Sequence, residues 1–353
     1  MLDSTAPAGP KTKEQPLLYL SSSPHIASPV SAGKLMSRVL IALTPVSIFG
    51  IVLYGLPALL TIAVSVGAAV LSERLFRKLI KREPRGRDLS AVVTGLLLAL
   101  IMPPGMPLWM VALGAAFAII VAKEFFGGLG ANVFNPALIG RAFLLMSFPL
   151  AATTWVVPRA FFPVSAAADT LSGATALGIL KMEGSIAEVG AGLVANGLAA
   201  GGDYWSVLGS FFLGLRVGAI GESSIVLILI GFVYLLATGT INWRAPLTMI
   251  ATVFVCSLLF GRDPLFALLS GGVIFGAVFM ATDYVSAPLG NGGKLIFGFG
   301  AGLITVLIRH WGNYPEGVTY AILIMNAVTP FLNRLLGKKY GYVKPQKVSG
   351  GAK

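Results

Sequence analysis

Apolar residues dominate the chain from Arg38 nearly to Arg334, interrupted by short polar bursts rather than at any regular period. The apolar runs recur at lengths that cross a hydrocarbon core as helix. They lack both the two-residue alternation and the short strands of a lipid-facing barrel, and a spanning backbone must satisfy its own hydrogen bonds. The pattern predicts an all-α integral membrane protein. Spans are expected near 38–54, 57–73, 90–102, 107–122 and 135–149, then near 223–240, 246–260, 265–281, 294–309 and 317–335. Between the two sets lies a stretch rich in small and polar residues. The run Trp205–Ile220 is awkward, because counting it as a crossing would export the basic tail; it reads as a re-entrant or interfacial segment.

Charge orients these spans. The 353 residues are 56% hydrophobic and 11% charged, with a net charge of +12. Most Lys and Arg flank apolar runs, so the excess reads as membrane topology rather than as a nucleic-acid surface. Arg74, Arg77, Lys78, Lys81, Arg82, Arg85 and Arg87 form the densest cluster, and Arg334, Lys338, Lys339, Lys344, Lys347 and Lys353 follow the last run. The positive-inside rule puts both clusters, and Lys11, Lys13, Lys34 and Arg38, in the cytoplasm. The expected organisation is a flexible cytoplasmic arm over 1–33, a five-helix membrane repeat over 34–150, an extracytoplasmic loop with the re-entrant segment over 151–222, a second five-helix repeat over 223–336, and a basic cytoplasmic tail over 337–353. The arm has no signal-peptide core, so insertion is expected to rely on the first span.

Two five-span sets entered from opposite sides make an inverted repeat with broken or re-entrant segments, about ten transmembrane helices in all. Breaks recur in matching order. Pro-rich breaks follow the third segment of each half, at Met102–Pro107 and Thr282–Pro288, and Gly/Asn/Pro breaks precede the fifth, at Gly127–Pro136 and Trp311–Gly317. Ordinary loop chemistry would give such signals too.

Few residues offer redox or metal chemistry. The single cysteine, Cys256, rules out an internal disulfide and an iron–sulfur cluster ligated by this chain alone, and reads as packing. His25 and His310 flank apolar runs rather than sit within them and supply little for a bis-histidine haem site. No metal site is expected. Ionisable or amide groups inside spans are costly and therefore pathway candidates, here Glu124, Asp283, Asn326, Asn132 and Asn135. Lys123 beside Glu124 reads as a simple ion pair and Asp283 as a cap of a broken helix; none is assigned as an ion ligand.

The most informative stretch is Asp169-Thr170-Leu171-Ser172-Gly173-Ala174-Thr175 in the central loop. Small residues ahead of a hydroxyl admit close approach by another molecule, and a carboxylate upstream can orient it. Two readings stand: a site of chemistry at Thr175, or a cap on a helix beginning at Ala176.

Asp-x-x-Ser-Gly-Ala-Thr resembles the flavinylation sequence of the RnfD/NqrB family, in which a Thr hydroxyl carries FMN through a phosphoester. Other family-like elements occur in the same order. Gly127-Gly128-Leu129-Gly130-x-Asn132-x-Phe134-Asn135-Pro136-Ala137, Ile220-Gly221-Glu222-Ser223-Ser224, Ala281-Thr282-Asp283 with Pro288, Leu295-Ile296-Phe297-Gly298, and Tyr314-Pro315-Glu316-Gly317-Val318 through Asn326 extend the resemblance from about Lys34 to Tyr342. Thr170, Ala176 and Tyr284 depart from the usual family residues, and the short arm brings the chain nearer the RnfD branch.

The resemblance implies covalent FMN on Thr175 within the motif that holds Gly173 and Ala174; by proximity in the topology, Asp169 and Ser172 near the attachment and Arg216 and Glu222 on the re-entrant piece are the pocket candidates. Arg216 would neutralise the phosphodiester or reduced flavin, or else snorkel; Glu222 would bind there or cap the helix that follows. It further implies an electron-transfer subunit of an ion-translocating oxidoreductase that couples ferredoxin and NAD chemistry to Na⁺ or H⁺. This is one part of an enzyme in the bacterial inner membrane, with an FMN-bearing subunit and membrane subunits as partners. By the same resemblance a flavin transferase would mature it, and a second, non-covalent flavin such as riboflavin would have room within the bundle by family analogy alone. The NAD site and iron–sulfur clusters would belong to other chains, and no nucleic acid is expected. The rival readings are an inverted-repeat permease or channel and a cofactor-free scaffold.

Overall fold

The structure is a computed structural model that describes residues 31–82, 88–158, 172–173, 175–183, 185–199, 201–312 and 316–336. Residues 1–30 of the expected arm, the basic tail over 337–353, Arg85, Arg87, Asp169, Ala174, Tyr314 and Pro315 lie outside the described residues, and Ala32 and Gly33, expected in the arm, already belong to the first helix.

The chain is mostly helical, and glycine, proline and polar caps set its breaks. Helices α1 (Ala32–Tyr54) and α2 (Leu56–Leu79) are joined through Gly55, whose φ of 69° suits only glycine without strain. Helix α3 (Ser90–Leu100) stops before Pro103-Pro104, which have no N–H to continue the ladder. Helix α4 (Leu108–Ile119) runs on into a π-helical turn over Ile120–Glu124. Asn135 caps α5 (Pro136–Ser147) by accepting from Ala137 N at 3.0 Å, with proline first in the helix. The short α6 (Pro149–Thr153) leads to β1 (Trp155–Val156), paired antiparallel with β2 (Ser172–Gly173) in the register Trp155 to Gly173 and Val156 to Ser172.

A layer of short helices follows: α7 (Ala176–Glu183), α8 (Ile186–Ala195) and α9 (Tyr204–Leu213). Helix α9 ends at Gly214 in the left-handed region, and its 10 residues span about 15 Å, half a hydrocarbon core. A 3₁₀ turn over Ile220–Glu222 precedes α10 (Ile225–Ala237) and α11 (Arg244–Leu259). Helix α12 (Pro264–Leu269), capped by Asp263, breaks at Ser270-Gly271-Gly272 before α13 (Val273–Phe275), which continues as a second π turn over Gly276–Met280. Helices α14 (Asn291–Trp311) and α15 (Val318–Leu336) complete the chain.

Three of these helices, α1, α2 and α14, are long and apolar enough to cross a membrane, with mean hydropathy of 2.0, 1.8 and 1.5. Burial in α2 is inverted relative to a water-soluble helix. Leu71, Leu75 and Leu79, on one strip, are 57–78% exposed, while Glu73 and Arg77 are 4% exposed. Such a surface is at home in lipid.

What Glu73 and Arg77 meet corrects the sequence reading. Lys123 and Glu124 do not pair with each other: Lys123 Nζ donates to Glu73 Oε1 and to Ser90 Oγ, both at 2.6 Å, and Arg77 Nε bridges to Glu124 at 3.2 Å. Adjacent residues on a helical turn point apart, so each finds its counter-charge on α2. Arg77 accordingly leaves the exposed basic cluster.

The main core joins α1–α5 to α10, α11 and α13–α15, and a smaller one under α7–α9 gathers Trp155, Leu177, Val189, Phe211 and Phe266. Helix α14 packs on α11 through Gly298 and Gly302. A Cβ on Gly298 would stand 2.5 Å from the Ala245 carbonyl oxygen. Arg38 at the start of α1 donates to the Thr238 carbonyl, and Tyr54 at its end donates to that of Gly218, so α1 marks an Arg38 end and a Tyr54 end of the bundle.

Replacing Lys123 with Met strands Glu73 as a buried charge. Denaturant unfolding in detergent micelles is expected to record a loss of about 3–5 kcal/mol, of which adding Glu73→Leu recovers a large part. Gly302→Val should cost about 1–3 kcal/mol by the same measurement, because its side chain must push α11 away.

Candidate functional site

Thr175 is held from both sides. Ser172 and Gly173, just ahead of it, are fixed as backbone in the β1–β2 ribbon, and α7 starts immediately after it. The Thr175 carbonyl accepts from Ile179 N at 2.9 Å and its Oγ1 from Gly178 N at 3.1 Å. The helix thus begins at Ala176 with Thr175 as its cap, as one of the two readings had it. Being a cap does not use up the hydroxyl, which keeps its own proton and stands at the positive end of the α7 dipole. A Cβ on residue 178 would come 3.3 Å from Oγ1, so Gly178 keeps that side of the oxygen clear.

Beneath α7 lies a pocket walled by Leu177, Leu180, Phe266 and Val306, with Lys181, Arg262, Arg309, His310 and one carboxylate, Asp263, which caps α12, at its polar edge. Lys181 donates to the Gly312 carbonyl, and burial, with the charge of Arg262 second, lowers its pKa. Arg309 gives Nη1 to Ala267 O at 2.6 Å and Nη2 to Ser270 O at 3.2 Å, yet its Nε and the Nδ1 of His310 are buried with no hydrogen-bond partner among the described residues. His310 stacks on Phe260 with centroids 5.2 Å apart. These basic groups escaped the sequence reading because 262 and 309–310 are far from the heptapeptide along the chain.

Arg216 does not snorkel. It is buried, with its guanidinium on the carbonyls of Leu269, Glu222 and Gly271 and 5.6 Å from the Phe211 ring centroid. A side chain on residue 271 would touch Leu177, so Arg216 braces the surface on which α7 rests.

Glu222 does not cap α10, whose N-cap Ser224 has no side-chain bond either. Its carboxylate turns instead into a small cavity, 3.9 Å from Arg141 Nη1, because a guanidinium attracts it more strongly than a helix end does. Arg141 also pairs tightly with Glu316. Sequence reasoning missed Arg141, although a lone arginine inside the apolar run 137–146 was the signal to follow.

A larger cavity opens at the Arg38 end between residues of both halves of the chain, lined by Ser90, Thr94, Lys123, Asn132, Asn135 and Asp283 among apolar neighbours. Asp283 accepts from Ser286 Oγ at 2.7 Å. With its amide turned to satisfy both ends, Asn326 accepts from Asn135 N at 3.1 Å and donates to the Ser286 carbonyl at 3.3 Å. Of the polar groups singled out within spans, Asn132, Asn135 and Asp283 meet here, with Asn326 bonded beside them. Glu124 is held elsewhere by Arg77.

The family model described as the NQR2, RnfD, RnfE family matches residues 19–341. The chain is 42% identical over 325 residues to a subunit of the proton-translocating ferredoxin:NAD(+) oxidoreductase complex of Clostridium ljungdahlii, covering 90% of this chain and 94% of that protein. It is 41% identical over 333 residues to a subunit of the Na(+)-translocating ferredoxin:NAD(+) oxidoreductase complex of Acetobacterium woodii, covering 94% and 97%. It is also 40% identical over 328 residues to a subunit of the ion-translocating oxidoreductase complex of Stutzerimonas stutzeri, covering 86% and 90%. Matched over nearly its whole length, the inward-turned charges and broken helices included, this chain belongs to the NQR2, RnfD, RnfE family.

Proposed function

We propose that this chain is the membrane electron-transfer subunit of an ion-translocating ferredoxin:NAD⁺ oxidoreductase complex and that it carries FMN on Thr175 through a phosphoester bond. The observation that carries the reading is the Thr175 hydroxyl at the N-terminus of α7, with Gly178 clear beside it. A phosphate on that oxygen would meet the free N–H groups of the first turn of α7 and the positive end of its dipole. Lys181, Arg262, Arg309 and His310 edge the pocket beneath, where the buried nitrogens of Arg309 and His310 lack partners among the described residues. That donor set fits an anionic ligand with a flat apolar body. Arg216 acts at one remove, holding the 269–271 turn against which Leu177 packs. Bound there, FMN would supply one- and two-electron redox chemistry, and the protein's part is to fix its distance to the next carrier.

By the same reading the chain forms ten spans in two inverted five-helix repeats, both termini lie in the cytoplasm, and the Thr175 loop faces outward, where a flavin transferase loads it and a flavin-bearing subunit exchanges electrons with it. The cavity at the Arg38 end, with its amides and hydroxyls, is the place within the bundle for a non-covalent flavin such as riboflavin. The same cavity is what favours the permease reading, which requires solute uptake by the isolated chain and no chromophore.

Expressed with an active flavin transferase, the chain is expected to fluoresce as a band after denaturing electrophoresis, with the flavin mapped by mass spectrometry to the peptide holding Ser172–Thr175. Thr175→Ala should give a dark band at unchanged membrane insertion; a fluorescent Thr175→Ala band overturns the assignment. Without the transferase, Thr175→Ala should also loosen α7 by about 1 kcal/mol through loss of its cap, read as faster amide exchange in 176–183, whereas Thr175→Ser should not.

A further inference from the structure

We propose that Glu222 and Glu316 form a proton-exchange site in which Arg141 pairs with one carboxylate while the other takes up a proton. The three side chains meet in the small cavity at the Tyr54 end, where α5 brings Arg141 from the first half of the chain and the second half brings both acids. Arg141 is the one cation in direct contact with either carboxylate among the described residues. Arg216 and Arg309 lie within electrostatic range of both carboxylates and add positive charge at a distance, while their Nη groups bond backbone carbonyls rather than either acid. Tyr54 is the remaining titratable group facing Glu222, and its hydroxyl is spent on the carbonyls of Gly218 and Arg216. Two acids thus share one close guanidinium, held tightly by Glu316 and at 3.9 Å from Glu222.

The chemistry of the lining selects the proton over a metal cation. Apart from the carboxylates and Arg141, the polar side chain on the wall is Thr319, and the rest is Ile101, Leu138, Gly272, Phe275, Gly276, Met280 and Val318. A hard cation gathers about six oxygen ligands and would have to crowd the Arg141 guanidinium already on these carboxylates. A proton needs one. When Glu222 takes up a proton, an O–H bond forms on its carboxylate, its loose 3.9 Å contact with Arg141 Nη1 is given up, and the guanidinium stays on Glu316. Release of the proton reverses the step, and no electron moves. The site lies next to the larger cavity. On α5, Pro136 borders the cavity of the Arg38 end and Leu138 borders this one. On the second π turn Phe279 and Met280 divide in the same way. The two cavities are thus neighbours along one seam between the halves.

The exchange site is independent of the flavin: a dark Thr175 band leaves it standing. It is tested by infrared spectroscopy of the full chain in lipid nanodiscs across a pH series, comparing wild type with Glu316→Gln and Glu222→Gln. The expected result is a carboxylic-acid carbonyl band on the acid side, sensitive to D₂O, in the wild-type-minus-variant spectra for each glutamine variant. Removing the shared cation in Arg141→Met should move the appearance of that band to higher pH. Difference spectra that contain only carboxylate bands at every pH where the chain stays folded would mean a permanent salt bridge and overturn the proposal, as would an Arg141→Met band at an unmoved pH. Either glutamine variant suffices if the other does not fold.

Discussion

A helix broken inside an apolar bundle frees carbonyl groups that no water reaches, and each must find a donor. At the break after α12 the donors are two buried arginines. Arg309 takes the carbonyls of Ala267 and Ser270, and Arg216 those of Leu269 and Gly271. Guanidinium suits the task because its planar fork reaches several acceptors at once and stays charged. Much else rests on this turn: the apolar side of α7 through Leu177 and Gly271, the 3₁₀ turn through the Glu222 carbonyl, and the cavity wall through Gly272.

The same economy of polar groups governs the seam between the halves. Helices α5 and α15 pack together with a polar contact toward each end: Asn135 with Asn326, and Arg141 with Glu316. Between them the contact is apolar, through residues such as Leu138 and Ile322. Polar groups at such depth are stable only when paired, and pairing across the seam fixes the register of the two halves. On the far side of the first half, Glu73 with Lys123 and Arg77 with Glu124 do the same for α2 and the first π turn. Charge that a soluble protein would place on its surface is here turned inward, and leucine is turned out.

The layer that carries Thr175 is built differently. Its helices are short, its core is separate, and it meets the bundle where α9 packs on α10 and α12 and where α7 rests on the turn after α12. The cap, the two-residue ribbon and the Gly178 clearance fix Thr175 without burying α7 in the bundle.

The sequence by itself determined the material and the punctuation. Apolar runs, flanking charges, and Gly, Pro and Asn at the breaks act over a few residues, so the helical class, the break before α5 and the start of α7 at Ala176 were legible from local chemistry. The heptapeptide singled out Thr175 in the same way. The tertiary structure alone decided the partners. That Lys123 turns to Glu73 rather than to its neighbour Glu124, that Arg216 faces carbonyls rather than lipid, and that Arg141, Glu222 and Glu316 meet are contacts between residues 6 to 175 positions apart. Side-chain pairing at that range follows from how helices cross and which faces they bury, and neither is written in the order of residues along one helix.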